Sequence, residues 1–359
     1  MKILIVGAGL SGSVIARDMA EGGNEVLVIE KRDHIAGNCY DYIDDKTGIL
    51  MNKYGAHLFH TNSEQVWEYI NRFSEWIRWD HEVVSYVENK LVPIPVNITT
   101  VNQLCGTSIT NTEEMDKWLK SVQYSGEIRN SEDIAISRVG KEIYEKLFKP
   151  YTIKQWNKDP TELDPSVLAR IPVRNSFDTR YFSDKYQVLP KYGYTKFVES
   201  ILNHKNIKIQ LNTDFFEINS SNYDHVIFTG PIDKYFESSG LPKLEYRSIN
   251  FEINRLSNYG YFQPKPVVNY PETNVDFTRI VEYKHFYNQT SDSTVIVKEF
   301  TTDKGEPYYP VPNKQNLDLY EKYRILANKE SNVHFVGRLA SYKYFNMDDA
   351  ILNALNFKI

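Results

Sequence analysis

The sequence predicts an α/β fold with a discontinuous parallel sheet, on three observations. An apolar strand at the N-terminus runs directly into a Gly-x-Gly-x-x-Gly turn and a helix. The middle of the chain carries helical and then separate strand patterns that do not continue that sheet. A last buried strand ending in glycine, Val333 to Gly337, returns near the C-terminus.

The first thirty residues read as a complete dinucleotide site. Lys2 to Val6 is the apolar run that a buried parallel strand needs, and it leads into Gly7-Ala8-Gly9-Leu10-Ser11-Gly12. Gly7 permits a tight turn, Gly9 lets backbone approach a pyrophosphate, and Gly12 lets the next helix sit close to the strand. A helix from about Leu10 to Ala20 then points its positive end at the phosphates. A second strand, Glu25 to Ile29, ends in Glu30, about 20 residues beyond the glycines, where an acid accepts hydrogen bonds from a ribose. A lone glycine motif is weak, but strand, glycines, helix, strand and acid in order point to a nucleotide.

The 359 residues provide length for two or three domains. A formal net charge of −5 excludes the strongly basic surface expected of a nucleic-acid binder. Cys39 and Cys105 are too few for a disulfide framework and fit a reducing compartment, and no metal-ligand pattern is present. No run approaches the ~20 apolar residues of a membrane span, and the first run is broken too early for a signal peptide, so a soluble cytoplasmic protein is expected. Aromatic residues make up 14% of the chain, with 26 tyrosines, which suits a wet cleft for sugars and bases and equally a tyrosine-rich core.

In chain order, Lys31 to Asn38 reads as a polar loop returning along the pyrophosphate. In Tyr54 to Thr61 the pair His57 and His60 invites a metal reading, but nothing completes a ligand shell. Asn62-Ser63-Glu64 caps a helix expected to run to about Trp76. Val83 to Pro95 reads as a hairpin at a domain edge. Glu113 to Tyr124 and Asp133 to Phe148 read as helices of an inserted domain, with Ile134, Val139, Ile143 and Leu147 as one stripe. Ile207 to Gln210 and His225 to Phe228 resume strand character. Phe251 to Ile253 and Thr294 to Val297 read as strands of a separate antiparallel sheet.

Four blocks, GAGLSG with Glu30, YGAHLFHT, FKPYTIKQW followed by RIPVR, and GRLASYKYFNMD, resemble the bacterial UDP-galactopyranose mutases, with NYPETNVDFTR and EPYYP agreeing between them. The resemblance implies a Rossmann-like FAD-binding domain from residues 1–81, 191–242 and 312–359. It also implies a helical domain over 98–170 carrying the uridine block, and a twisted antiparallel sheet domain from 82–97, 171–190 and 243–311. A homodimer is implied as well. The implied reaction interconverts UDP-galactopyranose and UDP-galactofuranose through a flavin N5–sugar adduct, requires reduced FAD, and has no net redox change.

Carried over position by position, the resemblance places Gly7, Gly9, Ser11, Gly12, Glu30, Lys31 and Asn38 on FAD. His57 and Leu58 lie along the flavin ring, His57 among the catalytic residues, with Arg338 beside the cofactor. Met347 and Asp348 open a helix whose amides face the flavin. Phe148, Tyr151, Thr152 and Trp156 form the uridine block, with Tyr181, Asn269, Tyr308 and Tyr344 as further substrate residues. Arg170 and Arg279 grip the diphosphate and complete the catalytic set. Three positions depart from the family pattern: Leu147 for a phenylalanine, Pro150 for a glycine, and Asn346 for an aspartate.

Rival readings remain open at this point. One is a mutase for another nucleotide sugar, UDP-N-acetylgalactosamine or a dTDP-deoxysugar such as dTDP-fucose. Another is an FAD-dependent amine oxidase, which shares the N-terminal block, and a third is a flavoprotein that binds without turnover.

Overall fold

The computed structural model describes residues 1–359. Its first layer is a five-stranded parallel sheet in the order Ile207–Gln210, Glu25–Ile29, Lys2–Val6, His225–Phe228, Val333–Phe335. Lys2–Val6 is central because it is apolar on both faces: Ile3 and Ile5 pack under the helices Leu10–Glu21 and Tyr194–Leu202, and Leu4 packs on the other side with Ile29 and Val226. Two of the five strands come from the middle of the chain and one from its end, so the sheet is discontinuous as expected. The C-terminal helix Met347–Leu355 lies against Leu10–Glu21, joining the last segment to the glycine turn.

The second layer is a seven-stranded sheet in the order Tyr309–Pro310, Tyr246–Leu256, Thr294–Thr302, Arg279–Glu282, Val267–Asn269, Val83–Val87, Lys90–Ile94. The expected hairpin is its edge. The sheet is antiparallel throughout except where Val267–Asn269 runs parallel to Val83–Val87. Register divides one face into two rows. Val267, Val281 and Val297 are opposite one another, and two residues along each strand Asn269, Arg279 and Glu299 are opposite one another. The valine row joins a core with Val139, Ile143 and Leu147 of the helical domain. In the polar row Glu299 is buried, and Asn269 and Arg279 are half-buried.

The segment Tyr186–Pro190 corrects the expected domain boundary. It falls within residues 171–190, assigned to the sheet domain, yet it pairs with Phe59–Thr61 and Trp76–Arg78 in a small sheet of its own. The helix begun by Ser63, which accepts from Val66 N at 3.3 Å, likewise stops at Ile70 rather than Trp76. Trp76 is needed as a strand residue, where its ring packs on Phe59 and Phe197.

The helix expected over Asp133 to Phe148 is Ser131–Ile143 followed by a wider turn, Tyr144–Phe148, with non-helical Gly140 inside it (φ 75°, ψ 167°). Pro150 then stands in the first turn of Lys149–Trp156, where no intrahelical N–H is required. No helix is long and apolar enough to cross a membrane.

Gly140 tests this account of the helical domain. A Cβ there would lie 2.7 Å from Val122 Cβ, whereas at Gly106, also left-handed (φ +65°), it would meet nothing within 4 Å. Gly140→Ala should therefore cost on the order of 1 to 3 kcal/mol and more than Gly106→Ala. Thermal melts of the two variants check the order.

Candidate active site in the interdomain cleft

The glycine turn is a backbone cradle. Gly7 has φ +104°, a Cβ on Gly12 would lie 2.0 Å from Gly7 O, and one on Gly37 would lie 2.9 Å from Gly9 Cα. Only backbone separates the turn from the returning loop. Helix Leu10–Glu21 has no side-chain cap and no acid in its first turn, so its positive end is left for a ligand. Gly9, Ser11, Gly12, Asn38, Thr229 and Arg338 line the resulting groove. These residues fit a dinucleotide pyrophosphate.

Glu30 is buried at the end of its strand and accepts from Ala8 N and Arg32 N, both at 3.0 Å, bracing the turn. Lys31 does not join the groove. Its ammonium pairs with Glu306 at 2.8 Å over a different cavity.

The groove opens into a second cavity of 240 Å³. His57, Arg338, Asn346 and Met347 line both spaces and mark the junction. Leu58 lines the second cavity, and Asp348 neither, although the helix end it occupies faces the junction through Asn346 and Met347. Burial raises the Asp348 carboxyl above its usual range.

Around the second cavity the structure gathers Phe148, Tyr151, Thr152 and Trp156 from one helical stretch, with Tyr181, Asn269, Arg279, Arg170 and Tyr344. Tyr308 is a correction: it lies outside the cavity, packed toward Tyr54 and Phe251, and its neighbour Tyr309 takes the place expected of it. The sequence offered two adjacent tyrosines, and only the strand's facing decides between them.

Three guanidinium groups and no carboxylate line this cavity. Arg279 Nε donates to Glu299 at 2.6 Å, and Glu299 is 2% exposed beneath it. Burial works against the Arg279 charge, but Glu299, with Tyr151 and Tyr309, holds it firmly cationic. Arg170 has no acid partner; its Nε donates to Val167 O at 3.2 Å and its Cζ lies 4.5 Å from the Tyr344 ring centre. Arg338 approaches Tyr344 and Tyr309 at 5.5 and 5.6 Å. Burial alone would raise the Tyr344 phenol, yet the guanidiniums of Arg170 and Arg338 carry it below its ordinary value. The cavity is built for an anion.

Histidines complete it. The Gly55 carbonyl, 2.8 Å from His57 Nδ1, can only accept, so the proton sits on Nδ1 and Nε2 is left as an acceptor. Burial, with Arg338 and Arg279 nearby, lowers His57 to about 4. His60, weighed in the sequence only as a metal ligand, and His81, which had no signal there, also line the cavity. His60 Nδ1 is 3.1 Å from Asp184, and the ring stacks on Phe182 at 3.8 Å. His81 Nδ1 accepts from Trp79 Nε1 at 3.4 Å, and burial lowers the ring to about 3.

The helix that carries Tyr151, Thr152 and Trp156 is fixed from behind. Lys154 Nζ donates to Tyr270 O at 2.6 Å and Glu272 O at 3.0 Å, and buried Arg247 donates to Gln155 O at 3.1 Å. Helix Lys149–Trp156 is thereby fastened to the seven-stranded sheet.

Fold and cleft together define a two-ligand α/β protein in which a dinucleotide groove opens onto an anion cavity walled by aromatic rings. Comparison with known proteins gives the family. A model of the UDP-galactopyranose mutase family matches residues 146–344, more than half of the chain, and a model of the NAD(P)-binding Rossmann-like domain matches residues 5–73. A probable UDP-galactopyranose mutase of Klebsiella pneumoniae is 40% identical, covering 99% of this chain and 93% of its own length. The dTDP-fucopyranose mutase of Escherichia coli is 37% identical, covering 99% and 96%. A crystal structure of reduced UDP-galactopyranose mutase shares the fold with a TM-score of 0.78 at 18% identity, covering 99% of this chain and 94% of that one. This chain belongs to the UDP-galactopyranose mutase family.

The buried histidines set a pH dependence. Free histidine binds a proton near 6.5, but folded His57 and His81 resist it down to about 4 and 3. Between those values the unfolded chain binds more protons, so stability is full above pH 6.5 and is lost as pH falls toward 4. His81→Asn removes one such site. Its melting temperature should drop less than the parent's between pH 7.5 and 5; an equal drop would show that His81 is not held neutral.

Proposed function

We propose that this protein is a flavin-dependent mutase that interconverts the pyranose and furanose forms of a UDP-sugar, UDP-galactose first among them, with FAD in the glycine groove. The observation that carries the reading is the junction: a cavity lined by three arginines and no acid meets the dinucleotide groove at His57, Arg338, Asn346 and Met347. A reduced flavin held there would supply an electron-rich nitrogen to an anomeric carbon, and activity is therefore expected from the reduced form.

The chain's own residues do the rest. Arg170 and Arg279 hold the diphosphate by charge-assisted bonds while it is a leaving group, so that it stays in place to return. Tyr151, Thr152 and Trp156 take the base at one end, and Tyr181, Asn269 and Tyr344 border the sugar at the other. Neutral His57 offers an acceptor at the junction without adding charge beside Arg338. The N-terminus of Met347–Leu355 also meets the junction, with Asp348 and Asp349 in its first turn offsetting part of its positive potential. Glu30, Asn38, Gly7, Gly9, Ser11 and Gly12 hold the cofactor's other half. A cytoplasmic homodimer belongs to the same proposal; both cysteines are free thiols, as a reducing compartment keeps them.

A dTDP-deoxysugar mutase is the second reading, favoured by the 37% identity to the dTDP-fucopyranose mutase. The deciding experiment incubates dithionite-reduced protein with UDP-galactose, UDP-N-acetylgalactosamine and dTDP-fucose and looks for ring-contracted products by chromatography and NMR. UDP-galactose should be converted without stoichiometric use of reductant, and oxidised protein should be nearly silent. Conversion of dTDP-fucose alone would transfer the assignment. Stoichiometric oxidation of an amine would replace it with the oxidase reading.

Arg170 is the cleaner of the two arginines to remove, because Arg279→Ala would also strand buried Glu299. Arg170→Ala should weaken UDP binding on the order of tenfold or more, since a charge-assisted hydrogen bond contributes about 1.5 to 3 kcal/mol. Arg170→Lys should recover only part of it, because the planar fork is lost. Titration calorimetry with UDP checks both, and an unchanged flavin spectrum shows that the cofactor site is intact.

A further inference from the structure

Arg170 reaches the anion cavity from a short piece of helix. It follows Ser166–Ala169, which is four residues long. A single turn cannot hold itself, because helix formation gains hydrogen bonds only after its first turn is fixed, and the carbonyls at its end have no partner within it. The direction in which Arg170 points therefore depends on what anchors that turn from outside.

Burial anchors one face. Val167 and Leu168 are enclosed in one core with Ala135 and Val139 of the helix Ser131–Ile143. Two arginines close the end. Arg170 folds back on its own turn, its Nε donating to Val167 O at 3.2 Å. Arg138, on Ser131–Ile143, donates from Nη1 to Ala169 O at 2.7 Å and to Leu168 O at 3.3 Å. Ile171 N shares Leu168 O at 3.3 Å. Each carbonyl from Val167 to Ala169 is thus occupied, and a cation suits this negative end of a helix.

Arg138 has no other evident task. It is half-buried, burial works against its charge, and no neighbouring acid offsets that cost. It does not line the anion cavity. A guanidinium placed in such surroundings and committed to two carbonyls is there for the backbone that it holds.

We infer that Arg138 is a positioning residue for Arg170: by closing Leu168 O and Ala169 O it fixes the turn from which the Arg170 guanidinium faces the cavity. The inference rests on the reading that Arg170 holds the diphosphate of the substrate. Arg138 itself stays behind the wall and acts only through Arg170, which it keeps in place against the Tyr344 ring, 4.5 Å from its centre.

Binding of UDP to the FAD-loaded full chain tests this in a double-mutant cycle of the parent, Arg138→Ala, Arg170→Ala and the double variant, read by titration calorimetry. Arg138→Ala should weaken UDP about fivefold in the parent, within the range over which groups of one network couple, and less than about twofold once Arg170 is already alanine. Arg138→Lys keeps a charged donor but not the planar fork, and should fall between the parent and Arg138→Ala. The flavin spectrum should be the same throughout. Equal losses in both backgrounds would show that Arg138 supports the cleft without acting through Arg170, and would overturn the inference. So would an unchanged affinity in Arg138→Ala beside a weakened one in Arg170→Ala, with the diphosphate reading left standing. UDP binding untouched by Arg170→Ala would remove that reading and the inference together. Amide hydrogen exchange gives a second measurement that the milder Arg138→Lys also allows. Exchange at residues 167–171 should quicken while that of the glycine turn does not, and unchanged exchange at 167–171 would contradict the anchor.

Discussion

The buried pair between Arg279 and Glu299 is the interaction on which the rest of the site depends. Glu299 is almost fully enclosed, and its 2.6 Å bond to Arg279 Nε leaves the other guanidinium nitrogens free to face the cavity. Each partner holds the other in place, for either alone would be an uncompensated charge in a dry layer, a state that costs several kcal/mol. Register makes the pair possible, since Asn269, Arg279 and Glu299 are neighbours across three adjacent strands. The pair reaches the cofactor side as well. Gly55 passes so close over it that a Cβ there would lie 3.3 Å from Glu299 and 3.8 Å from Arg279, and Gly55 O in turn fixes the His57 ring. One ion pair thus locates both the arginine proposed to hold the diphosphate and the loop that reaches the junction.

The junction shows how a discontinuous domain serves chemistry. His57 arrives on the loop before Phe59–Thr61, Arg338 follows the strand Val333–Phe335, and Asn346 and Met347 start the last helix. The last two are consecutive in the chain and the first is far from both, yet the fold brings all three to the end where the glycine turn opens. Electrostatics divides their tasks. Burial, with Arg338 and Arg279 nearby, keeps His57 neutral, so positive potential comes from guanidinium groups, which do not titrate near neutral pH. Asn346 leaves the cavity wall without an acid, while its own N–H donates to Asp349 Oδ2 at 3.0 Å outside that wall.

Much of this was legible in the chain because it is local. The glycine turn, its flanking strands and Glu30 lie within thirty residues, and each has a steric or hydrogen-bonding reason to be where it is. That Tyr151, Thr152 and Trp156 line one cavity was legible for the same reason, since they share one helix. What was not legible depends on long-range register. His81 sits at the start of a hairpin and reaches the cavity because Tyr181 and Phe182 come back beside it, and nothing near residue 81 announces that return. Tyr308 and Tyr309 differ only in which face of a short strand each occupies. Trp76 was placed in a helix by its spacing, but pairing with Tyr186–Pro190 over a hundred residues later takes it into a strand. Local pattern sets which elements can form, and tertiary pairing sets where they stop.

A crystal structure of the protein with FAD and UDP both bound addresses the central claim most directly, that one cleft joins the cofactor groove to the anion cavity. The account predicts the isoalloxazine ring at the junction between His57 and Met347, the diphosphate against Arg170 and Arg279, and the uracil beside Tyr151 and Trp156. Uridine density instead in the mixed-charge cavity lined by Lys158, Lys243 and Glu245, with the three-arginine cavity unfilled, would contradict it.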